Sequence, residues 1–245
     1  MIEFRGLSKR FGDRPPVLED IDLQIPTGSV QFVIGPSGAG KSVLMKHVVG
    51  LVRADSGRVL VDGEDVTDYG EKALFKVREK VGFVFQQATL LDGLDVLDNV
   101  ALAIAKRFHV KRKVARERAM TELERMHLQP FAHRFPADLG AGVKKRAAIA
   151  RAIALDPRYL VYDEPTTGLD PIAARRVDRL IGELKGRGVT QIVVSHDLAS
   201  ILGVADRIAM LHKARVHIEG TPDALRASAD PVIRQFLSGS PVGPM

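Results

Sequence analysis

The stretch VQFVIGPSGAGKS, Val30 to Ser42, decides how this chain folds. Its first part, VQFVI, is a short and mainly apolar run typical of a strand buried on both faces. Its second part, GPSGAGKS, has the spacing G-x-x-x-x-G-K-[ST] of a phosphate-binding loop and opens a helical pattern. A glycine turn unrelated to phosphate does not require the strand, the spacing, the lysine and the serine together, so we favour the phosphate loop.

The chemistry of this loop follows from its residue types. Glycines let backbone amides curl around phosphate oxygens without a Cβ clash, and the amino terminus of the next helix adds partial positive charge. Lys41 is expected to reach the β- and γ-phosphate oxygens, and Ser42 to place its hydroxyl on Mg²⁺. The predicted nucleotide contacts are Gly35, Pro36, Ser37, Gly38, Ala39, Gly40, Lys41, Ser42 and Val43.

The composition excludes several classes of site. The 245 residues are 45% hydrophobic and 27% charged, which is enough apolar material for a sizeable core. Cysteine is absent, so disulfides and thiolate metal sites are excluded. No run approaches the roughly 18 apolar residues of a membrane span, and no signal-peptide pattern opens the chain. We therefore expect any membrane crossing to be made by another polypeptide.

The net charge of +6 raises the question of a nucleic-acid partner. The basic residues are densest in KRFHVKRKVARER, residues 106–118, where Phe108 is the one aromatic side chain. This pattern lacks the interleaved aromatics of a base-stacking platform. We interpret it as a solvated helix face and expect no nucleic-acid partner; weak contact with anionic lipid headgroups is the alternative.

The order of predicted elements indicates a mostly parallel sheet with a helical insertion. Strands are predicted in IEFRGLSKRF, VLEDIDLQI, RVLVDG, VGFVF, YLVY and QIVVS, and an edge hairpin in RIAML and ARVHIEG. Helices are predicted in KSVLMKHVVGL, with Leu44, Val48 and Leu51 on one face, and from about Ile172 to Gly186. Residues 87–155 are expected to be mainly helical. A short amphipathic piece is expected from about Asp230.

A second motif, YLVYDEP, supports the nucleotide interpretation. Four apolar residues predict a buried strand, and Asp163 and Glu164 follow at its carboxyl end, where ligands bind in open α/β sheets. Asp163 suits Mg²⁺ coordination through water, and Glu164 suits orienting or deprotonating an attacking water. Adjacent carboxylates at a strand end can also be mere helix caps, but the phosphate loop makes the catalytic interpretation the stronger one.

Four further motifs give the chain a specific family resemblance. They are Gln86 in VGFVFQQ, TTGLD from Thr166 to Asp170, His196 in VVSHD, and Phe11. Their order and spacing resemble ABC ATPase domains over nearly the whole chain. The resemblance implies that Gln86 contacts Mg²⁺ or the lytic water, that His196 contacts the γ-phosphate and that Asp170 faces an opposite subunit. It also implies that Phe11 stacks on adenine.

The family resemblance implies a fold class and its division. The fold is α/β: a P-loop NTPase with a RecA-like core, an N-terminal antiparallel β subdomain and an inserted α-helical ABC subdomain. The core and β subdomain would occupy residues 1–86 and 156–229, the helical subdomain 87–155 and a C-terminal tail 230–245. ATP and Mg²⁺ are the implied ligands. The implied assembly is a homodimer with ATP between the subunits.

The family's signature motif departs from its usual form. Where the family has LSGGQ or LSGGM, this chain has LGAGV, residues 139–143, followed by the expected helix KKRAAIARAIALDP. Gly140 replaces the serine that caps this helix and contacts the γ-phosphate bound by the other subunit, Ala141 replaces the first glycine, and Gly142 retains the second. We predict weaker ATP-driven dimerisation and slow turnover, with function retained.

Within the family, the chain looks most like the Mla/Mce phospholipid-transport ATPases. The similar segments are GKSVLMKHVVGL, VDGEDVTD and the ending DPVIRQFL followed by PVGP; small-solute importers more usually have threonine at Val43. This branch implies MlaE-like permease subunits, and leaves room for an Mce-domain substrate-binding protein and a small regulatory subunit. The location implied is peripheral, at the cytoplasmic face of the inner membrane. Residues 88–100 are expected to help receive a permease helix, or to be an ordinary loop and helix start.

Other interpretations remain open at this point. One alternative is the ATPase of another ABC transporter branch, for solute import or export. ABC ATPases of DNA repair or translation usually carry a long coiled-coil insertion or a second ATPase domain, and neither pattern is present. LGAGV would also suit a nucleotide-binding module that does not hydrolyse, although Asp163, Glu164 and His196 argue against it. The tail 230–245 could reach a neighbouring subunit or be a frayed end.

Overall fold

The chain forms two β-sheets, seen in a computed structural model that describes residues 1–244. The smaller sheet is antiparallel and has the order β2-β1-β4-β5. Its strands are β1 (Ile2–Lys9), β2 (Leu18–Ile25), β4 (Ser56–Val61) and β5 (Glu64–Asp65). The alternating side chains of β2 place Leu18, Ile21, Leu23 and Ile25 in the core, as the sequence pattern predicts.

The larger sheet has six strands in the order β10-β9-β3-β8-β7-β6. Its strands are β3 (Val30–Ile34), β6 (Val81–Val84), β7 (Tyr159–Asp163), β8 (Thr190–Val194), β9 (Arg207–His212) and β10 (Arg215–Gly220). All neighbours are parallel except β9 and β10, which form the antiparallel edge hairpin that the sequence predicts. Every residue of β3, β7 and β8 is buried, which is typical of parallel strands covered on both faces.

Nine helices connect and cover the sheets in residues 1–244. They are α1 (Lys41–Val48), α2 (Glu71–Lys80), α3 (Val96–Phe108), α4 (Arg112–Arg125), α5 (Ala141–Ile153), α6 (Pro171–Lys185), α7 (Leu198–Val204), α8 (Pro222–Arg226) and α9 (Pro231–Ser238). Between β6 and β7 the chain forms α3, α4, α5 and two single 3-10 turns. The fold is therefore the expected α/β class with a helical insertion, while the division of the chain at residues 87 and 155 stays a prediction.

Two local expectations were incomplete. Leu51 does not share the buried face of α1, because the helix ends at Val48 and Gly50 adopts a left-handed conformation (φ +66°), so that Leu51 is 52% exposed. Helix α2 was not predicted. Its sequence EKALFKVREK buries only Leu74 and Val77, which is too weak a periodic signal to identify it.

The basic segment 106–118 is largely solvated, and several of its cations have partners. Arg107 pairs with Glu79, and both Arg112 and Arg116 pair with Asp98. None of the helices in residues 1–244 is both long enough and apolar enough to span a bilayer.

Candidate functional site

The carboxyl ends of β3, β7 and β8 are adjacent in the sheet, and the loops that follow them converge there. The loop after β3 is the phosphate loop, the loop after β7 begins with Glu164, and the loop after β8 carries His196. The Glu164 amide donates to the Val194 carbonyl oxygen at 2.9 Å, which holds the second loop against the third. Topology thus brings together three motifs that are far apart in the sequence.

Glycine is required at two places in the phosphate loop. Gly35 and Gly40 have φ values of +140° and +91°. A Cβ on Gly35 would lie 2.2 Å from the Leu211 carbonyl oxygen, and one on Gly40 would lie 2.7 Å from the Val17 carbonyl oxygen. The loop therefore needs residues without side chains for its curvature and for its close packing on β9 and on the residue before β2.

Lys41 lies inside this loop with its charge incompletely satisfied. Its Nζ donates to the carbonyl oxygens of Gly35 and Pro36, each at 2.9 Å, and the residue is buried. Burial lowers the pKa of Lys41, and the carboxylates of Glu164 and Asp163 partly oppose that shift. A buried cation held only by carbonyls is an environment that an anionic ligand stabilises.

Ser42 and Asp163 form the oxygen pair expected for a metal site. The Ser42 hydroxyl donates to Asp163 Oδ1 at 2.6 Å, and Asp163 is buried at the end of β7. Hydroxyl and carboxylate oxygens are the ligands Mg²⁺ prefers, and Mg²⁺ usually takes its other ligands from phosphate and water. No cluster of three or more His, Cys, Asp or Glu suited to a metal occurs in residues 1–244. The donor set fits a nucleotide-bound Mg²⁺ rather than an all-protein cage.

Glu164 and His196 are in direct contact. His196 Nδ1 lies 2.8 Å from Glu164 Oε2, which also accepts a 2.9 Å hydrogen bond from the Thr167 hydroxyl. Glu164 has a left-handed backbone conformation, φ +52°, which is rare for a non-glycine residue and recurs at functional sites. The Glu164 side chain is 12% exposed and that of His196 is 63% exposed, so the carboxylate is sheltered and the imidazole covers it from solvent.

These residues line one cleft of about 580 Å³. Its walls are Gly35 to Val43, Gln86, Glu164 and His196, together with Val17 and Phe236. Phe236 was missed because it comes from α9, whose Val232 and Ile233 are buried in the core. The amphipathic pattern from Asp230 predicted that helix, but no motif in it points to the cleft.

Phe11 is separate from the residues that line this cleft. It is 44% exposed, and Lys9 Nζ lies 5.2 Å from its ring centroid. Its predicted stacking on adenine stays a prediction that an open, accessible ring permits.

The remaining predicted residues form a second cleft of about 250 Å³. Gly140, Ala141, Gly142 and Asp170 line it together with Arg146, Arg176 and neighbouring residues. No residue lines both this cleft and the phosphate-loop cleft. Apart from Phe11, and from Asp163, which bonds Ser42 without lining a cleft, the site residues proposed from the sequence thus lie in two separate half-sites on one chain.

The second cleft shows how the unusual signature is built. Gly140 is the N-cap of α5 with φ −68° and ψ 157°, and it makes no side-chain cap bond. A Cβ there would meet nothing within 4 Å, whereas a Cβ on Gly142 would lie 2.9 Å from Ala173 Cβ. Asp170 caps α6 by accepting from the Ala173 amide at 2.9 Å. The helix terminus and its amides are present, and only the capping hydroxyl is missing.

Comparisons with known proteins show the family to which the chain is similar. A family model described as "ABC transporter" matches residues 18–167. The intermembrane phospholipid transport system ATP-binding protein MlaF of Haemophilus influenzae is 36% identical over the whole of this chain and 93% of its own length. The probable ribonucleotide transport ATP-binding protein mkl of Mycobacterium leprae is 35% identical over the whole chain and 70% of its own length.

A solved structure shares the fold. It is the ATP-binding cassette MJ0796, a dimer in a post-hydrolysis state bound to ADP and inorganic phosphate. It superposes with a TM-score of 0.84 at 31% identity, covering 91% of this chain and 99% of that one.

Proposed function

This chain belongs to the ABC transporter family as an ATP-binding subunit that hydrolyses ATP to drive transport, and from that premise we propose that it energises phospholipid transport between the inner and outer membranes. The observation that carries the ATPase part is the single cleft in which Lys41, Glu164 and His196 meet at the phosphate loop. The phospholipid part is supported by the similarity to MlaF, which extends over the whole chain.

The two half-sites support a homodimer with ATP between its protomers. One protomer would supply the phosphate loop, Gln86, Asp163, Glu164 and His196, and its partner would supply Gly140 to Gly142 and Asp170. The two clefts have no lining residue in common, which supports a site completed by a second protomer. The dimeric state of the similar cassette is consistent with this arrangement.

The proposed reaction is in-line attack of water on the γ-phosphorus. The water oxygen forms a bond to that phosphorus, the bond to the β,γ-bridging oxygen breaks, and ADP and inorganic phosphate result. Glu164 accepts a proton of the attacking water, because its carboxylate is sheltered beside the phosphate loop. His196 Nδ1 lies 2.8 Å from the Glu164 carboxylate, and the exposed imidazole lines the same cleft.

Ser42, Asp163 and Gln86 are the residues we assign to Mg²⁺. When bound, the ion supplies positive charge to the β- and γ-phosphate oxygens. Lys41 supplies a second positive charge from the floor of the loop, where its present hydrogen-bond acceptors are only the carbonyls of Gly35 and Pro36.

The proposed partners are membrane proteins. We assign the chain to the cytoplasmic face of the inner membrane, bound to MlaE-like permease subunits, with an Mce-domain protein and a small regulatory subunit as further members of the complex. Residues 88–100 are the proposed contact for the permease. In the structure they run from the end of the Gln86 loop into α3, where Asn99 bonds the backbone of Leu91 and Leu94.

A second candidate function is transport of a nucleotide-like solute. It is favoured by the 35% identity to mkl, whose name describes ribonucleotide transport. The two candidates share the ATPase cycle and differ in the cargo of the membrane subunits.

Reconstitution distinguishes them. The chain, co-purified with its membrane-embedded partner, would be placed in vesicles with a fluorescent phospholipid or a labelled ribonucleotide. We expect ATP-dependent movement of the phospholipid and none with Glu164→Gln. Movement of the ribonucleotide alone would favour the second candidate, and absence of ATP hydrolysis by the complex would contradict both.

A further inference from the structure

Helix α5 is fastened to the segment that carries Gln86 by two cationic side chains. Lys145 Nζ donates to the carbonyl oxygen of Gln86 and, at 3.3 Å, to that of Phe85. Six residues later in α5, the Arg151 guanidinium donates to the carbonyl oxygen of Thr89 at 2.9 Å and to its hydroxyl at 3.1 Å. The segment from Gln86 to Thr89 is therefore held at both ends by one helix.

These two cations are held by carbonyl and hydroxyl oxygens rather than by carboxylates. Lys145 is 4% exposed, and within residues 1–244 neither Lys145 nor Arg151 forms an ion pair. Burial lowers the pKa of both side chains, and for Lys145 the carboxylates of Asp163 and Glu164 oppose that shift. Because a buried charge is expensive to leave unpartnered, the bonds to the segment are strongly favoured. Thr89 itself has φ +47°, so the segment is held in a local conformation that needs support.

Two neighbouring parts of α5 thus serve different half-sites. Its amino terminus, at Gly140 to Gly142, lines the second cleft. Its side chain at Lys145, one turn further along, holds Gln86, which lines the phosphate-loop cleft of the same chain. In a dimer these clefts belong to two different nucleotides.

We propose that Lys145 and Arg151 are positioning residues that make Gln86 move with α5. Nucleotide bound at the amino terminus of α5 sets the position of Gln86 at the other nucleotide. We call the bonds from Lys145 and Arg151 to residues 86–89 the clamp. The clamp therefore links the two ATP sites of a dimer, an inference that rests on the proposed two-protomer site. Lys145 and Arg151 contact only the segment and touch no reacting atom.

A mixed dimer tests this directly. One protomer carries Glu164→Gln, so only the other protomer's phosphate-loop site hydrolyses ATP. Lys145→Gln is then placed either in the hydrolysing protomer or in its Glu164→Gln partner. The readouts are the single-turnover rate of γ-phosphate release and the ATP concentration that gives half the maximal rate.

The rate of γ-phosphate release should depend on which protomer carries Lys145→Gln. In the hydrolysing protomer, Lys145→Gln frees the Gln86 that serves the active site, and we expect the rate to fall about tenfold with the half-saturating ATP concentration changed less than twofold. In the partner, the freed Gln86 serves the inactive site, and the rate should stay within about twofold. If Lys145 merely supports α5, the loss would instead be greater in the partner, whose α5 terminus meets the active nucleotide. Equal loss in both placements, or greater loss in the partner, overturns the proposal.

Matched variants complete the test. Lys144→Gln removes a neighbouring lysine of α5 whose side chain makes no hydrogen bond or ion pair in residues 1–244, and should leave both rates unchanged. Lys145→Arg should restore most of the rate, because it keeps a donor cation. If Lys145→Gln does not fold, Arg151→Gln and Arg151→Lys give the same comparison from the other end of the segment. The mixed dimer with an unchanged α5 is the reference. If it fails to form or to hydrolyse ATP, the result contradicts the proposed function and not the role of Lys145.

Discussion

Replacing Gly140 by serine restores the residue that the signature motif usually has. The structure accommodates the change: Gly140 has φ −68°, which any residue adopts, and a Cβ there meets nothing within 4 Å. The position is already the N-cap of α5, where serine accepts a hydrogen bond from a backbone amide of the first turn.

The gain divides into a small and a large contribution. Exchanging glycine for serine at an N-cap stabilises a helix by only a few tenths of a kcal/mol, so the free energy of unfolding should change by less than about 1 kcal/mol. A new hydrogen bond from the hydroxyl to the γ-phosphate of the partner's nucleotide contributes about 1.5–3 kcal/mol, because the acceptor is charged. That is roughly tenfold to a hundredfold in affinity for each nucleotide between the protomers.

The first assay is the dissociation constant of the dimer in ATP, measured by sedimentation with Glu164→Gln present in every variant. The second assay is the steady-state rate of ATP hydrolysis by the same variants without Glu164→Gln. Gly140→Ser should tighten the ATP-bound dimer and raise turnover, while Gly140→Ala, which adds the Cβ without the hydroxyl, should do neither. Unchanged dimer affinity and turnover in Gly140→Ser would refute the reasoning. An equal effect of Gly140→Ala would assign the change to the backbone instead.

Three further predictions concern the phosphate-loop cleft. Glu164→Gln should trap the ATP-bound dimer and lower hydrolysis by at least about a hundredfold, seen as phosphate release; hydrolysis at the original rate would remove Glu164 from its role. Burial lowers the pKa of Lys41 in the free chain, and a bound triphosphate would raise that pKa. ATP affinity should therefore be highest at pH values below the pKa of Lys41 in the free chain. It should fall as the pH rises from there through the pKa of Lys41 in the ATP-bound chain. Titration of ATP binding at alkaline pH checks this, and Lys41→Arg should abolish the fall; the same fall in Lys41→Arg would assign it to another group. Phe236→Ala should weaken ATP binding about twofold to tenfold because the ring lines the cleft. Phe11→Ala should weaken it by a similar factor if that exposed ring stacks on adenine. Calorimetry of ATP binding to each variant measures the two effects, and no effect of Phe11→Ala would make the stacking prediction wrong.

The parts of the fold that the sequence predicted are those with strong local patterns. VQFVI and YLVY are short, mainly apolar runs, which are typical of strands buried on both faces. The apolar residues of VLEDIDLQI correspond to the buried positions of β2. Helix α2 was missed because it lies on the surface with two buried residues, so neither its periodicity nor its composition separates it from a polar loop.

The site was predictable where spacing alone encodes the geometry. The phosphate loop is one local turn, and Glu164 and His196 follow strands whose parallel order brings their ends together. The position of Phe236 was not predictable, because it depends on how α9 packs nearly 200 residues after the phosphate loop. The clamp by Lys145 and Arg151 was equally hidden, since a basic residue on a helix usually faces solvent and only the tertiary structure shows these two bonding a distant backbone.

Charge explains why a weak closing contact is compatible with a working cycle in the proposed dimer. At the phosphate loop the carboxylates of Asp163 and Glu164 lie near two buried cations, Lys41 and Lys145, whereas Arg146 and Arg176 line the second cleft. In the proposed dimer the γ-phosphate joins these two surfaces, because it lies between the phosphate loop of one protomer and the second cleft of its partner. That second cleft supplies Arg146, Arg176 and the positive amino terminus of α5. When the γ-phosphate leaves, the attraction across the interface falls. Since Gly140 contributes no hydroxyl to that attraction, ATP stabilises the closed dimer less, and closure rather than release should limit the turnover of this chain.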